Sequence, residues 1–342
     1  MGLTIDTVEA IFREHRYQPI EGDVLLIGRQ TVYFTPSEIL ALMKTHNIAS
    51  RLSQEELVID KQTLSRRKTT KNELISDTSL FRMLGAQSVR ALDHSGYEGA
   101  EVIHDLTKPL PAHLHNIADF IVDGSTLDNT FDPAMTIKNY SALLRPGGRV
   151  ILYNILSNHH EPYSMLPPLW YHDFFIFNKF VDCKVYILVF KETDNLGVSL
   201  HNTFCINTEW LMNPHQHVGS FTSPYEMELI VFAEKGDLST NDKTPAQQHY
   251  RSEAEWSAYR ESLATVKNNK RYHLVRSRTP ISFLDVKGGH LFMNENFEMV
   301  DPTEEAARIG IDLSNKDRDL VGSGFNRFSI RLLERIKRRW KN

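Results

Sequence analysis

The sequence is poor in several features that would place it in a specialised class of protein. It has two cysteines in 342 residues, Cys183 and Cys205, which is too few for a disulfide framework and fits a reducing compartment. The net charge of −4 gives no electrostatic basis for nucleic-acid binding. The longest clean apolar run, residues 185–190, is far too short to span a bilayer. The first residues carry early acids and no long apolar core, unlike a secretory signal. We therefore expect a cytoplasmic protein without a transmembrane segment.

Glycine-rich turns and metal-ligand clusters are also missing. The apolar run DVLLIG (23–28) ends on Gly28, but RQTVYF follows it, so no G-x-G-x-x-G turn is formed. This argues against a nicotinamide-dependent oxidoreductase. The histidines His201, His215 and His217 share one loop-like stretch. No cysteine or carboxylate cluster at ligand spacing accompanies them, so no metal site is predicted.

Short apolar runs alternate with helical patterns through the first two thirds of the chain. This order predicts an α/β fold: a doubly wound, Rossmann-like, seven-stranded and mostly parallel sheet with helices on both faces. A non-helical loop joins the last two strands, which suits an antiparallel pair at one sheet edge. Strands are predicted at 23–28, 88–92, 100–104, 118–123, 149–154, 182–192 and 226–236. Helices are predicted at 4–17, 37–48 with Ser37 as N-cap, 77–86, 132–144, 168–182 and 252–267.

Three of the predicted strands end on an aspartate, namely Asp93, Asp105 and Asp123. Open α/β sheets bind ligands at the carboxyl ends of their strands. Carboxylates placed there can accept hydrogen bonds from the hydroxyls and amines of a nucleoside. Each aspartate could instead be a turn former or a helix N-cap. Three in register favour a nucleoside-cofactor site.

The segments DVLLIG, VRALD, VIHDLTKPLP, ADFIVDGSTLDNTFDP and ALLRPGGRVIL resemble the class I S-adenosylmethionine-dependent methyltransferases. The resemblance covers about residues 20–236, and its last two motifs are the most specific. The stretches LDHSGYEGAEVIHDLTKPLP and DFIVDGSTLDNTFDP are more particularly similar to a bacterial subgroup that often accompanies surface-polysaccharide or small-molecule biosynthesis. This second link is an association and does not come from chemistry.

The resemblance implies a role for each strand end. The loop after the first strand, with Gly28 and Arg29, would wrap the methionine part of S-adenosylmethionine. Asp93 would bind the ribose hydroxyls, with His94 flanking the adenosine. The remaining cofactor-binding residues would be Asp105 and Leu106 beside adenine, and Asp123 and Gly124 at the amino-acid end and the acceptor pocket.

The acceptor side is less well defined by the sequence. His159 and His160 follow the fifth strand and could act as a base, since histidine titrates near neutral pH; either could equally be a solvated loop histidine. Tyr163, Trp170, Tyr171 and His172 could shape an acceptor pocket or belong to the core. The expected partner is a small-molecule or sugar acceptor.

Two domains are expected. Residues 1–236 would form the methyltransferase-like domain, with insertions at about 50–76 and 193–225, and residues 237–342 an α+β or helical extension. The first insertion explains why 65 residues separate Gly28 from Asp93, against about 20 in a compact unit. The single glycine after the first strand also supports an alternative, a non-catalytic binding or scaffolding protein of the same fold.

Overall fold

The computed structural model describes residues 2–61, 63, 73–157, 162–192, 198–206, 221–222, 226–268, 282–284, 291–293 and 299–300. The chain divides into two compact units. The first comprises Met1–Ile206 and Met227–Ser282, and the second comprises Asn207–Glu226 and Phe283–Asn342.

The strands of the described residues are numbered in chain order. They are β1 (Gly2–Leu3), β2 (Gly22–Ile27), β3 (Thr31–Val32), β4 (Ala86–Asp93), β5 (Val102–Ile103), β6 (Ala118–Gly124), β7 (Leu144–Ser157), β8 (Asp182–Glu192), β9 (Val198–Ile206), β10 (Phe221–Thr222), β11 (Glu226–Glu234), β12 (Ser282–Leu284), β13 (Leu291–Met293) and β14 (Met299–Val300).

Eight described strands of the first unit lie in one sheet, in the order β9-β8-β11-β7-β6-β2-β4-β5. The pairs β2/β4, β2/β6, β4/β5 and β6/β7 are parallel, and β11 is antiparallel to β7. The predicted α/β, Rossmann-like sheet is therefore confirmed. The chain runs from β2 outward to β4 and β5 and then crosses back to β6 and β7. The strand order thus reverses between β2 and β6, which is where open α/β sheets bind ligands. In the second unit, β10 pairs in parallel with β13, and β13 pairs antiparallel with β14.

Helices cover both faces of the large sheet. They are α1 (Ile5–Tyr17), α2 (Pro36–Thr45), α3 (Asp77–Leu84), α4 (Pro133–Leu143), α5 (Pro168–Phe177) and α6 (Glu253–Asn268). Side chains of α1, α2 and α3 share one apolar cluster with strand residues such as Leu26 and Phe120. On the other face, Tyr140 of α4 and Tyr171 of α5 are fully buried. The central strand β2 has four consecutive buried residues, Val24 to Ile27, as a parallel strand covered on both faces requires.

Local signals set the ends of several helices. Asp132 caps α4 as predicted, and its carboxylate accepts a hydrogen bond from the Met135 N–H at 2.9 Å. Gly85 ends α3 with a φ of +120°, which a residue without a Cβ adopts at no steric cost. The predicted N-cap Ser37 is wrong. Thr35 caps α2 instead, because its hydroxyl and the Glu38 carboxylate form a reciprocal capping box and leave Ser37 inside the first turn.

Two boundaries differ from the sequence prediction. The helix predicted over 168–182 ends at Phe177, because the chain turns at Lys179, which has a φ of +56°. The stretch 193–225 was predicted as a loop. It contains β9, which pairs antiparallel with β8 and takes the sheet position beyond it. The predicted pair of last strands is therefore not at the sheet edge. The strand β11 lies between β7 and β8, and β9 lies beyond β8.

The two ends of the predicted insertion at 50–76 lie next to each other. Ile59 and Ile75 form an isolated antiparallel bridge, and Asp60 N–H donates to the Leu74 carbonyl at 2.8 Å. The excursion is thereby closed at its base, so the length of the insertion does not disturb the spacing of β2 and β4.

A buried cluster of charges ties α1 to the strands on its face. Lys184 of β8 is 3% exposed, contacts the Asp182 carboxylate and lies 3.3 Å from Glu14 Oε1 of α1. Arg149 of β7 lies 3.7 Å from Glu14 Oε2. Elsewhere in the core, Cys183 is fully buried with a free thiol. Among the described residues, no helix combines the length and the apolar character needed to cross a membrane.

Candidate functional site

The candidate site lies at the carboxyl ends of β2, β4 and β6. Ile27, the last residue of β2, pairs with Leu92 of β4 on one side and with Asp123 of β6 on the other. The residues that follow these three positions therefore emerge side by side at the point where the strand order reverses. The sheet alone brings the predicted residues Gly28, Asp93 and Gly124 together.

Gly28 turns the chain sharply as it leaves β2. Its φ is +70°, and its N–H donates to the Leu92 carbonyl at 2.8 Å. A Cβ built on Gly28 would lie 3.6 Å from Asp93 Oδ2 and 3.9 Å from Thr126 Oγ1. The space beside this glycine is thus bordered by a carboxylate and a hydroxyl from two other strand ends. Such a cradle suits a ligand that carries hydroxyl groups close to the main chain.

Asp93 holds its carboxylate at this cradle with one oxygen engaged locally. Asp93 Oδ1 accepts a hydrogen bond from the Ser95 N–H at 3.2 Å, while Oδ2 faces Gly28. The side chain is only partly buried, and the following His94 is exposed. The Asx-type contact expected of a turn former is present, and it leaves Oδ2 directed towards the cradle.

Gln30 also lies at the site, although no sequence motif marks it as a site residue. Its Nε2 donates to the carbonyls of Ile27 at 3.0 Å and Gly28 at 3.3 Å. Its Oε1 is buried and has no hydrogen-bond partner among the described residues. A Cβ at Gly124 would come within 1.9 Å of this oxygen. The side chain of Gln30 thus fills the space between β2 and β6, and only a glycine at 124 allows it.

Arg29, predicted to bind the cofactor, is engaged elsewhere. Its guanidinium lies 3.4 Å from Asp77 Oδ1 and 2.6 Å from Glu101 Oε1. Asp77 also accepts a hydrogen bond from the Gln30 N–H at 2.9 Å. These contacts fix the loop after β2 to α3 and to the chain before β5. In this structure the guanidinium positions the loop, and the direct role of Arg29 in cofactor binding stays a prediction.

Asp105 and Leu106 form a tight turn beyond β5. Asp105 Oδ1 accepts from the Thr107 N–H at 2.9 Å and from its hydroxyl at 2.6 Å, and these bonds lower the pKa of Asp105. The Leu106 carbonyl accepts from Asn139 Nδ2 of α4 at 2.8 Å. The turn is thus held in place from both sides, and Asp105 is partly exposed.

Asp123, predicted to line the amino-acid end of the cofactor, has its carboxylate engaged within the protein, and its role at the cofactor stays a prediction. The side chain is fully buried. Its carboxylate accepts from the N–H groups of Thr126 at 2.6 Å and Leu127 at 3.0 Å, and from the Tyr140 hydroxyl at 3.1 Å. Burial raises the pKa of Asp123 to about 7, and the charge of Asp128 adds to the shift. The side chain caps the turn after β6 and thereby holds that turn in place.

The turn after β6 also carries two residues that the sequence analysis overlooked. Ser125 has a φ of +76°, which is rare without glycine. Its hydroxyl donates to Asp128 Oδ1 at 2.7 Å, and Asp128 Oδ2 accepts from the Ile155 N–H of β7 at 2.9 Å. Burial raises the pKa of Asp128. Asp128 lies within the segment TLDN (126–129), where no hydrophobic periodicity marks a buried acid. Its burial is therefore known only from the fold.

The acceptor side is partly described. The two proposed bases, His159 and His160, lie outside the described residues. Tyr163 is 72% exposed and packs edge-on against Phe131 with ring centroids 5.8 Å apart. Tyr171 is buried and donates to Asn154 Oδ1 at 3.0 Å. His172 is also buried, 2.9 Å from the Tyr259 hydroxyl, so both of these α5 residues belong to the core.

No metal centre is evident in the part of the chain that the structure describes. Its histidine, cysteine, aspartate and glutamate side chains form no group of three or more that could hold an ion. Two of the three loop histidines, His215 and His217, lie outside the described residues.

Comparison with known proteins gives distant likenesses in structure. No protein-family model matches the chain, and no curated protein matches it. Among solved structures, it resembles an S-adenosylmethionine-dependent methyltransferase from Archaeoglobus fulgidus, with 11% identity and a TM-score of 0.32, over 68% of this chain and 95% of that one. It also resembles 1,6-didemethyltoxoflavin-N1-methyltransferase from Burkholderia thailandensis, with 15% identity and a TM-score of 0.27, over 67% and 77%.

A putative zinc-dependent alcohol dehydrogenase from Rhodobacter sphaeroides also matches, with 15% identity and a TM-score of 0.24. This match covers 44% of the chain and spans less than half, 46%, of the dehydrogenase. The functional assignment therefore rests on the geometry of the site.

Proposed function

We propose that this chain is an S-adenosylmethionine-dependent methyltransferase that acts on an oxygen or nitrogen of a small molecule or sugar precursor. One observation carries the proposal. At the point where the strand order reverses, Gly28 turns with a positive φ, and the space beside it is bordered by Asp93 Oδ2 and Thr126 Oγ1. A cradle of this kind matches the hydroxyl-rich ribose of a nucleoside cofactor.

The described residues fit the parts of that cofactor in order along the strand ends. Asp93 would accept hydrogen bonds from the ribose hydroxyls, and Asp105 with Leu106 would border the adenine. Gln30 Oε1, buried without a partner among the described residues, would accept from the ammonium of the methionine part. When bound, the cofactor supplies a methyl group on a positively charged sulfur, which is electrophilic.

The chain itself then has to orient the acceptor and exclude water. The exposed aromatic pair Phe131 and Tyr163 lies near the turn after β6, because the Ser164 N–H donates to the Asp128 carbonyl at 3.0 Å. This pair would form one wall for the acceptor. His159 or His160 would accept a proton from acceptors that need a base. The sequence resemblance to the polysaccharide-associated subgroup supports a sugar precursor.

A second candidate function is a non-catalytic binding protein of the same fold. Its support is the composition of the loop after β2, in which the side chain of Gln30 fills space that backbone alone would leave open. Under this alternative, a nucleoside still binds at the strand ends, but no methyl group is transferred.

Calorimetric titration tests the proposal. Wild-type protein is expected to bind S-adenosylmethionine and S-adenosylhomocysteine saturably. The substitution Asp93→Ala should weaken both by about 10- to 100-fold, because a hydrogen bond to a charged group contributes roughly 1.5–3 kcal/mol. Asp242→Ala, which removes an exposed acid 3.2 Å from Lys243 Nζ, is the matched control and should bind normally.

The outcomes separate the candidates. Binding followed by transfer of a tritiated methyl group from S-adenosylmethionine to any acceptor supports the enzyme. Binding without transfer across a broad panel of acceptors favours the non-catalytic protein. No binding at millimolar ligand, or equal binding by Asp93→Ala and wild type, would contradict the site itself.

A further inference from the structure

Two aromatic side chains meet on the surface beside the turn after β6. Phe131 is 86% exposed and Tyr163 is 72% exposed. Their ring centroids are 5.8 Å apart, and their planes are inclined at 77°. Met165, two residues after Tyr163, is 50% exposed. Because these side chains are open to solvent, a ligand can reach them without the opening of a cavity. Exposed apolar side chains that occur together mark binding sites, whereas single ones do not.

The main chain that carries the aromatic pair is fixed by hydrogen bonds. Thr130, which precedes the first ring, donates its hydroxyl to the Leu127 carbonyl at 2.8 Å. Ser164, which follows the second ring, donates its N–H to the Asp128 carbonyl at 3.0 Å. The two rings are therefore held next to each other although neither is buried. A binding surface needs this combination of a fixed main chain and accessible side chains.

The polar side chains next to Phe131 in the sequence already have partners within the protein. Asn129 Nδ2 donates to the Ser125 carbonyl at 2.8 Å. The Asp132 carboxylate accepts from the Met135 N–H at 2.9 Å. These groups therefore offer less to the hydroxyls of a ligand. A free sugar depends on such polar partners, whereas an aromatic ring binds mainly through its contact area and the geometry of ring contacts.

The aromatic pair lies close to the cradle at Gly28 along the chain. Thr126, whose Oγ1 borders the space beside Gly28, comes five residues before Phe131. The one-turn helix Leu127–Asn129 lies between them, and a helix of this type rises about 2 Å per residue. The Cα atoms of Thr126 and Phe131 are therefore no more than about 13 Å apart. A small molecule held by the pair is thus near the strand ends where the cofactor is proposed to bind.

We propose that the acceptor of the proposed methyltransferase is an aromatic or heteroaromatic small molecule whose ring packs against Phe131 and Tyr163. The two side chains form a corner, so a flat ring can lie on one of them while its edge meets the other. Stacked and edge-to-face contacts of this kind favour an aromatic ring over a saturated one. The inference rests on the proposed function and narrows it, because a free sugar without an aromatic group does not fit this surface.

Calorimetry on protein saturated with S-adenosylhomocysteine tests the inference. The probes are 2-naphthol with its saturated counterpart decahydro-2-naphthol, catechol with cyclohexane-1,2-diol, and methyl glucoside. Wild-type protein should bind at least one aromatic probe about 3-fold or more tightly than its saturated counterpart, because ring contacts contribute beyond the area that they bury. Methyl glucoside should bind at least about 10-fold more weakly than that aromatic probe, because it buries less apolar surface.

Substitutions at the pair test the two rings directly. Phe131→Ala and Tyr163→Ala should each weaken binding of the aromatic probe by about 5-fold or more. Phe131→Tyr and Tyr163→Phe keep a ring and should stay within about twofold of wild type. Because both side chains are exposed, all four variants should fold and bind S-adenosylhomocysteine as wild type does. Tyr250→Ala, which removes a ring that is 78% exposed between β11 and α6, is the matched control and should keep the wild-type preference.

Each outcome decides one question. Equal binding of aromatic and saturated probes by wild type, or unchanged binding in both alanine variants, would overturn the inference and leave the cofactor site intact. A dimer in sedimentation velocity that dissociates in Phe131→Ala would show that a second copy of the chain covers the pair, which also overturns the inference. Failure of wild-type protein to bind S-adenosylhomocysteine would overturn the proposed function, and the inference with it.

Discussion

Gly124 is the position where the structure makes its sharpest stability prediction. A Cβ added there would lie 1.9 Å from Gln30 Oε1, 2.6 Å from Cδ and 3.0 Å from Nε2. Real side chains do not approach so closely, so in Gly124→Ala the Gln30 amide has to move. It has little room, since Gln30 is 3% exposed.

The expected loss follows from what that movement breaks. The Gln30 amide donates to the carbonyls of Ile27 and Gly28, and each net hydrogen bond contributes about 1 kcal/mol. Overpacking in a closed space costs a further 1–3 kcal/mol, roughly. We therefore expect Gly124→Ala to lower the free energy of unfolding by about 3–5 kcal/mol.

Urea denaturation followed by circular dichroism measures this loss. Gly96→Ala is the control, because a Cβ there meets only Ile103 Cδ1, at 4.0 Å, and should change stability by less than about 0.5 kcal/mol. Combining Gly124→Ala with Gln30→Ala removes the clash, so the pair should show a favourable coupling energy above about 1 kcal/mol. A loss below 1 kcal/mol for Gly124→Ala alone, or strict additivity of the two substitutions, would refute the reasoning.

Two further predictions concern buried charges. Burial raises the pKa of Asp123 to about 7 in the folded protein, so the unfolded chain loses this proton at lower pH than the native state does. As the pH rises from about 4 to about 7, the free energy of unfolding should therefore fall by up to about 4 kcal/mol from this group. The urea midpoint of Asp123→Asn should vary less with pH than that of wild type. Lys184→Met leaves Asp182 and Glu14 without their shared cation and should cost about 3–5 kcal/mol; an unfolding midpoint close to that of wild type would contradict this account of the cluster.

The sequence predicted those features of the fold that depend on local pattern. Continuous apolar runs located β2, β4, β6 and β7, and the Asp132-Pro133 pair located the start of α4. Asp93 could be placed at its strand end because the apolar run stops there. Thr35 was missed as the N-cap of α2, since two neighbouring hydroxyl residues offer the same signal and only the partner Glu38 decides between them.

The candidate site depended on contacts between distant parts of the chain, which no local pattern encodes. Gln30 and Gly124 are 94 positions apart, yet each determines what the other can be. Asp123 lies level with Leu92, one position before the strand end that Asp93 occupies, and its burial and its bond from Tyr140 of α4 distinguish this capping carboxylate from an accessible one.

The Ile27 carbonyl at the end of β2 already accepts two side-chain hydrogen bonds, and this affects how the site can evolve. Ile27 O already receives bonds from Gln30 Nε2 at 3.0 Å and Thr126 Oγ1 at 3.1 Å. A ligand amine that arrives there meets a glutamine oxygen rather than free main chain. Recognition through a main-chain loop persists when side chains mutate, whereas recognition through Gln30 can be weakened, retuned or lost by a single codon change. A family with this loop could therefore pass between catalyst and binding protein in very few evolutionary steps.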